Sequence, residues 1–580
     1  MKKIYLIATG MVAAASASAQ NLNPTVSVTR SYEGRLVEVH KPMQEMSVPD
    51  SLYKFDLDFD YSVFENPYRG AYDFKPYALD MKPEAGEYDG RKLYLKAGAG
   101  YQLRPSVDFV WQPRMKTDKF RMDVYASHHS YVGNYSRIGL DGDGSLEGTG
   151  EKWKGYDMYS RAGVDGRACL DKAVLTFDAG YLGIHTKDMY AVATGYNAAD
   201  MSFRVKSADM VEKGLYYDVA LKYRYASRGL GGNYVFRKSV GMNDLDFNAS
   251  LGPVLSRHSR IVADFGMGQT WYGDYLNCVG TAYVTPKYVL EKNRWNVAIG
   301  VKGSFNTTPS VDGGPALNTN KGVFIYPDVH ISFEVAKDYM DLYFSAAGGD
   351  CRNSYSSLVE KNHFFIPWDG MSNNSVTHAD FTLGFRGNVR NRLRYDLSFG
   401  FRSFEAMPFE SVHAVEADGV TDYLFGWSYF DGTAAYADVK LQWESRNFMV
   451  DSEFSFLDSN LKNHKTVQYN CFEPSFFSGH VSASYNWKKR IFAGVSAEFA
   501  SKRNGMMTVL SNAGEDVSAM DSCGASVPAW VNLGIHAEYA FTRRLSFWLK
   551  ADNLLDMDIQ RVPLYAEGGI GFTAGICLNL

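Results

Sequence analysis

Apolar and polar side chains alternate along this chain almost without interruption from Leu93 to its last residue. Leu93, Leu95, Ala97, Ala99 and Tyr101 share one parity, as do Phe120, Met122, Val124 and Ala126, and later Leu215, Tyr217, Val219, Leu221 and Tyr223. At the end of the chain, Phe572, Ala574, Ile576, Leu578 and Leu580 fall on one side and Gly571, Thr573, Gly575, Cys577 and Asn579 on the other. A period of two is that of a strand with one apolar face. Twenty-two such segments follow one another, each about nine to thirteen residues long, enough to cross a bilayer at a tilt of roughly 45°. An even number of antiparallel strands brings the chain back to the side from which it started. The pattern predicts an all-β fold, a transmembrane antiparallel β-barrel of about 22 strands whose last strand closes against Leu93 to Tyr101.

The connections sharpen this expectation. Tight turns stand at Leu290 to Arg294, Val335 to Asp338, Trp443 to Asn447, Trp487 to Arg490 and Phe541 to Arg544. Between them lie long connections: His128 to Lys154, Asn306 to Gly322, Gly349 to Thr377, Ser403 to Gly432, Leu457 to Gly479 and Ser501 to Ala529. Segregation of short turns to one end and long loops to the other is the mark of an outer-membrane barrel. Trp295, Trp443 and Trp487 sit beside short turns on the apolar parity of their strands, and Trp271 at the opposite strand end, as interfacial aromatic girdles require. The other parity carries Lys92, Lys96, Asp218, Lys222, Arg224, Asp264, Asp438 and Lys440. Facing lipid near the midplane, a charge costs about 2–4 kcal/mol, so this parity is expected to line a polar lumen.

Composition adds exclusions. A length of 580 residues exceeds one ordinary soluble core. Past the N-terminus no run of 18 apolar residues occurs, so no transmembrane helix is expected. A net charge of −5 does not suggest a nucleic-acid partner. Met1 to Ala19 reads as a signal peptide: Lys2 and Lys3 precede the apolar run Ile4 to Ala15, and Ala17-Ser18-Ala19 is a cleavage site before Gln20. No Cys follows that site, so no lipid anchor is expected. Three regions result: a signal peptide over 1–19, a short segment over 20–91 that enters the lumen or lies in the periplasm, and the barrel over 92–580. Phe55 to Tyr61 alternates and reads as one strand of the short segment. The six cysteines show neither CxxC nor metal spacing and select no disulfide connectivity.

No catalytic constellation and no cofactor motif is present, so an enzyme is not expected. His128 and His129 are adjacent and would point to opposite faces of a strand rather than chelate a metal. Asp141 to Ser145 resembles a calcium loop, but Leu146 stands where that loop needs Gly and Lys152 where it needs Glu. Asp56, Asp58 and Asp60 make a polar strand face. Two long connections are rich in aromatics, one with Phe364, Phe365 and Trp368, the other with Phe425, Trp427 and Tyr429. Exposed aromatic patches mark ligand or partner surfaces; packing of one loop on another over the barrel mouth is the alternative.

Leu549-Lys550-Ala551-Asp552-Asn553-Leu554-Leu555-Asp556, then Glu567-Gly568-Gly569 and the closing strand, resemble the barrel end of TonB-dependent outer-membrane receptors, as does Tyr326-Pro327-Asp328. The resemblance covers Leu93 to Leu580 in pattern and mainly the last thirty-five residues in sequence. Two features depart from it. The chain ends in Leu580 where the family usually has an aromatic, and the segment before Leu93 is roughly half the length of the family's plug domain. Val26, Ser27, Val28, Thr29 and Arg30 are similar to the short extended segment through which such receptors pair with TonB by strand addition. The resemblance implies an outer-membrane barrel, in contact with outer-membrane lipid and with TonB, that takes part in substrate uptake. The short N-terminal segment keeps two other readings in view. One is a scaffold that holds a surface lipoprotein or other outer-membrane subunit, and the other is a passive channel.

Overall fold

The computed structural model describes residues 92–580 except 102, 114–118, 190–192, 208–213, 231–238, 274–277, 308–321, 338, 366–373, 391, 418–419, 464–470 and 514–515. Residues 1–19, expected to be a signal peptide, the 20–91 segment with the stretch Phe55 to Tyr61 expected to be a strand, Asp56, Asp58 and Asp60, and Val26 to Arg30 lie outside the described residues.

The described residues form 24 strands and one short helix. The first strands are β1 (Leu93–Gly100), β2 (Ser106–Trp111), β3 (Phe120–Leu140), β4 (Leu146–Cys169), β5 (Ala173–Lys187), β6 (Ala193–Ser207), β7 (Gly214–Leu230) and β8 (Val240–Ser256). Next come β9 (Ser259–Tyr272), β10 (Val279–Lys292), β11 (Trp295–Thr307), β12 (Gly322–Ala336), β13 (Met340–Arg352), the helix α1 (Tyr355–Lys361), β14 (Asn374–Val389), β15 (Leu393–Ala417) and β16 (Val420–Glu444). The last are β17 (Phe448–Asn463), β18 (Phe477–Trp487), β19 (Ile491–Ala500), β20 (Arg503–Ala513), β21 (Asp516–Val527), β22 (Trp530–Ala540), β23 (Leu545–Asp552) and β24 (Gly571–Asn579).

Each barrel strand pairs antiparallel with its neighbours in sequence, except that β19 pairs directly with β22, Ala500 opposite Trp530. The hairpin β20–β21 therefore stands outside the wall, and 22 strands close the cylinder. Closure is made by β1 and β24, in register from Tyr94 opposite Asn579 to Gly100 opposite Thr573. The two strand ends meet through Leu93 N–H to Leu580 O at 2.9 Å and Leu580 N–H to Leu93 O at 2.8 Å. Glycine is required along this seam. A Cβ at Gly98 would lie 2.4 Å from Trp548 Cζ2, and one at Gly575 2.0 Å from Ala97 O.

The alternation sorts the side chains as expected. Met201, Phe203, Leu221, Ile299, Leu383, Val495 and Leu549 are exposed on the outer face, where a barrel meets acyl chains. Trp295, Trp443 and Trp487 are exposed at the short-turn end, and Trp271 at the other. The inner face carries ion pairs between neighbouring strands, including Arg204 with Asp218, Lys287 with Asp264, and Arg402 with Asp380. Lys440 pairs with Glu453, and Ser455 Oγ donates to Asp438. Such pairs let a wide polar lumen keep its charges compensated.

Several long connections are not loops. His128 to Lys154 is mostly β3 and β4 paired up to Leu140 opposite Leu146, and Ser403 to Gly432 is mostly β15 and β16 paired up to Ala417 opposite Val420. These hairpins rise beyond the membrane belt because backbone groups keep needing partners, while neither face any longer meets lipid. Of the connection Ser501 to Ala529, β20 and β21 form a hairpin whose first strand runs parallel to the outer end of β15, His413 opposite Thr508. Gly349 to Thr377 contains α1, capped by Ser354, whose Oγ accepts from Ser357 N–H at 3.3 Å.

Candidate functional site

The lumen face of β5 to β8 changes character toward the outer end. Lower down it carries Asp200, Asp218, Lys222 and Arg224. Near the mouth it carries Leu182, Ile184, Tyr196, Ala198, Ala226, Val240 and Met242. This apolar patch is covered from inside by Tyr355, Leu358 and Val359 of α1 together with Phe365 and Trp427. The segment 353–365 thus turns into the mouth and packs on the wall instead of projecting outward.

Polar contacts fix the segment at both ends. The Tyr355 N–H donates to Tyr272 Oη at 2.8 Å. Tyr196 Oη donates to Ser356 Oγ at 2.9 Å, and Ser356 Oγ donates to Asp244 at 3.0 Å. Glu360 and Asp200 flank Arg224. His363 Nδ1 lies 2.9 Å from Asp157 on β4, and its ring stacks on Tyr159 at 6.2 Å. Burial pulls the His363 imidazole down, but the charge and hydrogen bond of Asp157 outweigh it and leave the group above the ordinary histidine value. Burial pushes the Tyr355 phenol up to about 12, against the opposing effect of Arg228.

A second apolar cluster lies above the first. It joins Ile138 and Leu146 of the β3–β4 hairpin, Val412, Ala414 and Phe425 of β15–β16, Phe472, and Met507, Ala525 and Val527 of β20–β21. Leu564, Tyr565 and Ala566 of the β23–β24 connection complete it. Aromatic stacking runs through it: Phe364 on Tyr565 at 3.8 Å, Phe425 against Tyr565 at 4.8 Å, and Trp153 on Tyr135 at 4.5 Å. The β23–β24 connection is held by its own polar frame. Asn553 accepts from Met557 N–H and donates to Met557 O, Gln560 donates to Leu146 O at 2.7 Å, and Arg561 pairs with Glu498 and Glu567.

Four of the six aromatic residues picked out in the sequence are brought together here. Phe365 and Trp427 belong to the first cluster and Phe425 to the second, with Phe364 packed against it, and Phe365 is wholly buried between Tyr355 and Trp427. Tyr429 is buried but belongs to neither cluster. Trp368 lies outside the described residues. Sequence reading missed Tyr565, Trp153, His363 and Arg228. The switch from charged to apolar residues on the lumen parity of β5 to β8 is the signal that marks where the segment lands.

The other candidates separate. His128 bonds to Ser160 and Ser130, whereas His129 faces Asp108 and Ser106 across the barrel wall. Asp141 Oδ1 accepts from the N–H groups of Asp143 and Ser145, and with Gly144 at φ 77° it forms the turn of the β3–β4 hairpin. Among the described residues no group of three or more His, Cys, Asp or Glu side chains is placed to hold a metal. No two of the six cysteines are bonded to each other.

No protein-family model and no curated protein matches the sequence. Solved structures do match. The copper transporter OprC is 12% identical with a TM-score of 0.56, over 85% of this chain and 83% of that one. The apoprotein form of the FrpB iron transporter from Neisseria meningitidis is 10% identical with a TM-score of 0.61, over 85% and 81%. The siderophore receptor PirA from Acinetobacter baumannii is 10% identical with a TM-score of 0.56, over 84% and 80%. At these identities the likeness is one of fold: the described residues form a 22-stranded antiparallel barrel like those of these transporters and receptors.

Proposed function

We propose that this protein is an outer-membrane barrel that takes part in uptake of a substrate, driven by TonB through the N-terminal segment. The observation that supports this reading is a segment docked on the inner wall near the outer end, above a polar inner face. Two packed apolar clusters hold the 353–365 segment, the β20–β21 hairpin and the β23–β24 connection there. A passive channel gains nothing from a wall-docked closure of this kind, whereas a gated importer needs one. The fold shared with metal and siderophore transporters supports an outer-membrane location and a transporter-like role. Export across the inner membrane through the 1–19 signal peptide and pairing of Val26 to Arg30 with TonB belong to the same reading.

The scaffold reading draws on the brevity of the 20–91 segment, and one experiment separates the two. The periplasmic domain of TonB is used to pull down the full-length protein and a variant lacking Val26 to Arg30. Capture of the first and loss of the second supports the importer. Capture of neither overturns it, and a copurifying surface lipoprotein would then favour the scaffold.

A further inference from the structure

Arg224 and Arg228 stand four residues apart on the lumen face of β7, in unlike surroundings. Arg224 is held between two carboxylates, Asp200 and Glu360. Arg228 is 2% exposed, and no described carboxylate forms an ion pair with it. Its Nη2 donates to Thr194 Oγ1 at 2.8 Å and to the His363 carbonyl at 3.2 Å. Its Nε and Nη1 have no acceptor of good geometry, and the neighbouring Tyr355 hydroxyl has no partner besides a weak interaction with Arg228 itself. The carboxylates on the elements around it are engaged elsewhere. Asp157 holds His363, Asp200 and Glu360 hold Arg224, and Asp244 accepts from Thr270 and Ser356.

A fully buried guanidinium is rare unless an anion accompanies it, because desolvation costs several kcal/mol that only an opposite charge offsets. Here the cation keeps three of its five donors without an acceptor of good geometry at the point where the 353–365 segment meets the wall. We infer that Arg228, with the Tyr355 hydroxyl beside it, is a binding site for an oxyanion presented by the transported substrate, a carboxylate or a phosphate group. The inference rests on the importer reading and narrows it to an anionic substrate. Displacement of the segment removes the His363 carbonyl from Arg228 and Glu360 from Arg224. The opened mouth therefore presents Arg228 without its carbonyl acceptor, beside an Arg224 still paired with Asp200, and an entering oxyanion takes the place of the acceptor that left Arg228.

The test is isothermal titration of the full-length protein in detergent micelles. Sodium acetate is used in one arm and sodium phosphate in the other, each against sodium chloride at constant ionic strength. Saturable binding of at least one oxyanion is expected, with acetate assigning a carboxylate and phosphate a phosphoryl group. Arg228→Met should weaken that binding at least tenfold, and Tyr355→Phe about ten- to a hundredfold, since a hydrogen bond to a charged group contributes about 1.5–3 kcal/mol. Where the Met variant fails to show the gel mobility of a folded barrel, Arg228→Lys and Tyr355→Phe carry the comparison. Binding of neither oxyanion above chloride, or undiminished binding in the variants, overturns the site. Titration in micelles needs no TonB, so failure of the pull-down and failure of this site are read separately.

Discussion

Acid should loosen the loop cap through a single histidine. His413 lies on the outer half of β15, opposite Leu424 of β16 on one side and Thr508 of β20 on the other. Its chain neighbours Val412 and Ala414 belong to the second cluster, and it is 9% exposed. Burial pushes its imidazole down to about 4, from an ordinary value of about 6.5. A depressed histidine favours the neutral form, so its contribution is complete above about pH 6.5 and is lost as pH falls toward 4. A shift of about 2.5 units corresponds to about 3 kcal/mol once protonation is complete, and to about 2 kcal/mol at pH 5. Amide hydrogen exchange over 411–414 and 507–508, corrected for intrinsic rates, should therefore accelerate about thirtyfold from pH 7 to pH 5. The strands β10 and β11, remote from the cap, should not follow. The informative quantity is the difference between wild type and His413→Gln, since only the wild type carries the imidazole. An acceleration below about threefold in the wild type, or an equal one in the variant, would refute the assignment.

The remaining predictions concern the docked segment and the seam. Phe365→Ala empties the space between Tyr355 and Trp427; at about 3–5 kcal/mol for a buried Phe→Ala change, residues 353–365 should become protease-sensitive while the barrel keeps its gel mobility. The ion pair of His363 with Asp157 is fully formed below about pH 6.5 and is lost as pH rises through the elevated value of the imidazole; protection of the segment should fall toward alkaline pH in the wild type and stay level in His363→Gln. Gly575→Val places a side chain against Ala97 O and the Gly98 Cα, so barrel closure should fail, read as loss of the heat-modifiable folded band in gels, whereas Gly142→Val, at a position with open space around it, should leave that band intact.

The wall was legible because lipid imposes a rule on every second residue. Met201, Ile299 and Leu549 must be apolar whatever this particular protein does, and all 22 barrel strands were found from that demand. Beyond the belt the demand disappears and so does the signal. In β15 the alternation read from the sequence stops at Ser403, where the register against β16 shifts between Phe404 and Met407 and Ala406 takes φ 50°. Above it both parities are buried, Ser411 and His413 as well as Val412 and Ala414, so the outer half of a continuous strand shows no two-residue alternation and reads as a loop. The hairpin β20–β21 was missed for a related reason: it buries Met507, Ala525 and Val527 against other loops, and small or mixed residues suffice for a face that never meets acyl chains.

The mouth was half legible. Phe364, Phe365, Phe425, Trp427 and Tyr429 stood out by type, yet type alone does not say whether an aromatic faces a ligand or another loop. What decides in this conformation is the companion surface, and it was written elsewhere in the chain, in the lumen parity of β5 to β8. Leu182 and Ile184, Tyr196 and Ala198, and Val240 and Met242 sit where a water-filled lumen would call for polar side chains, so each needs a partner from inside. Arg228 is the counter-example on the same surface. It is a charge placed among those apolar residues and buried with them, and no described carboxylate pairs with it. An apolar patch explains why the segment docks; a buried cation within that patch makes docking weaker than it would otherwise be. A closure built only for permanence would carry Met or Leu at 228, so the arginine is best understood as the part of the patch that belongs to the open state.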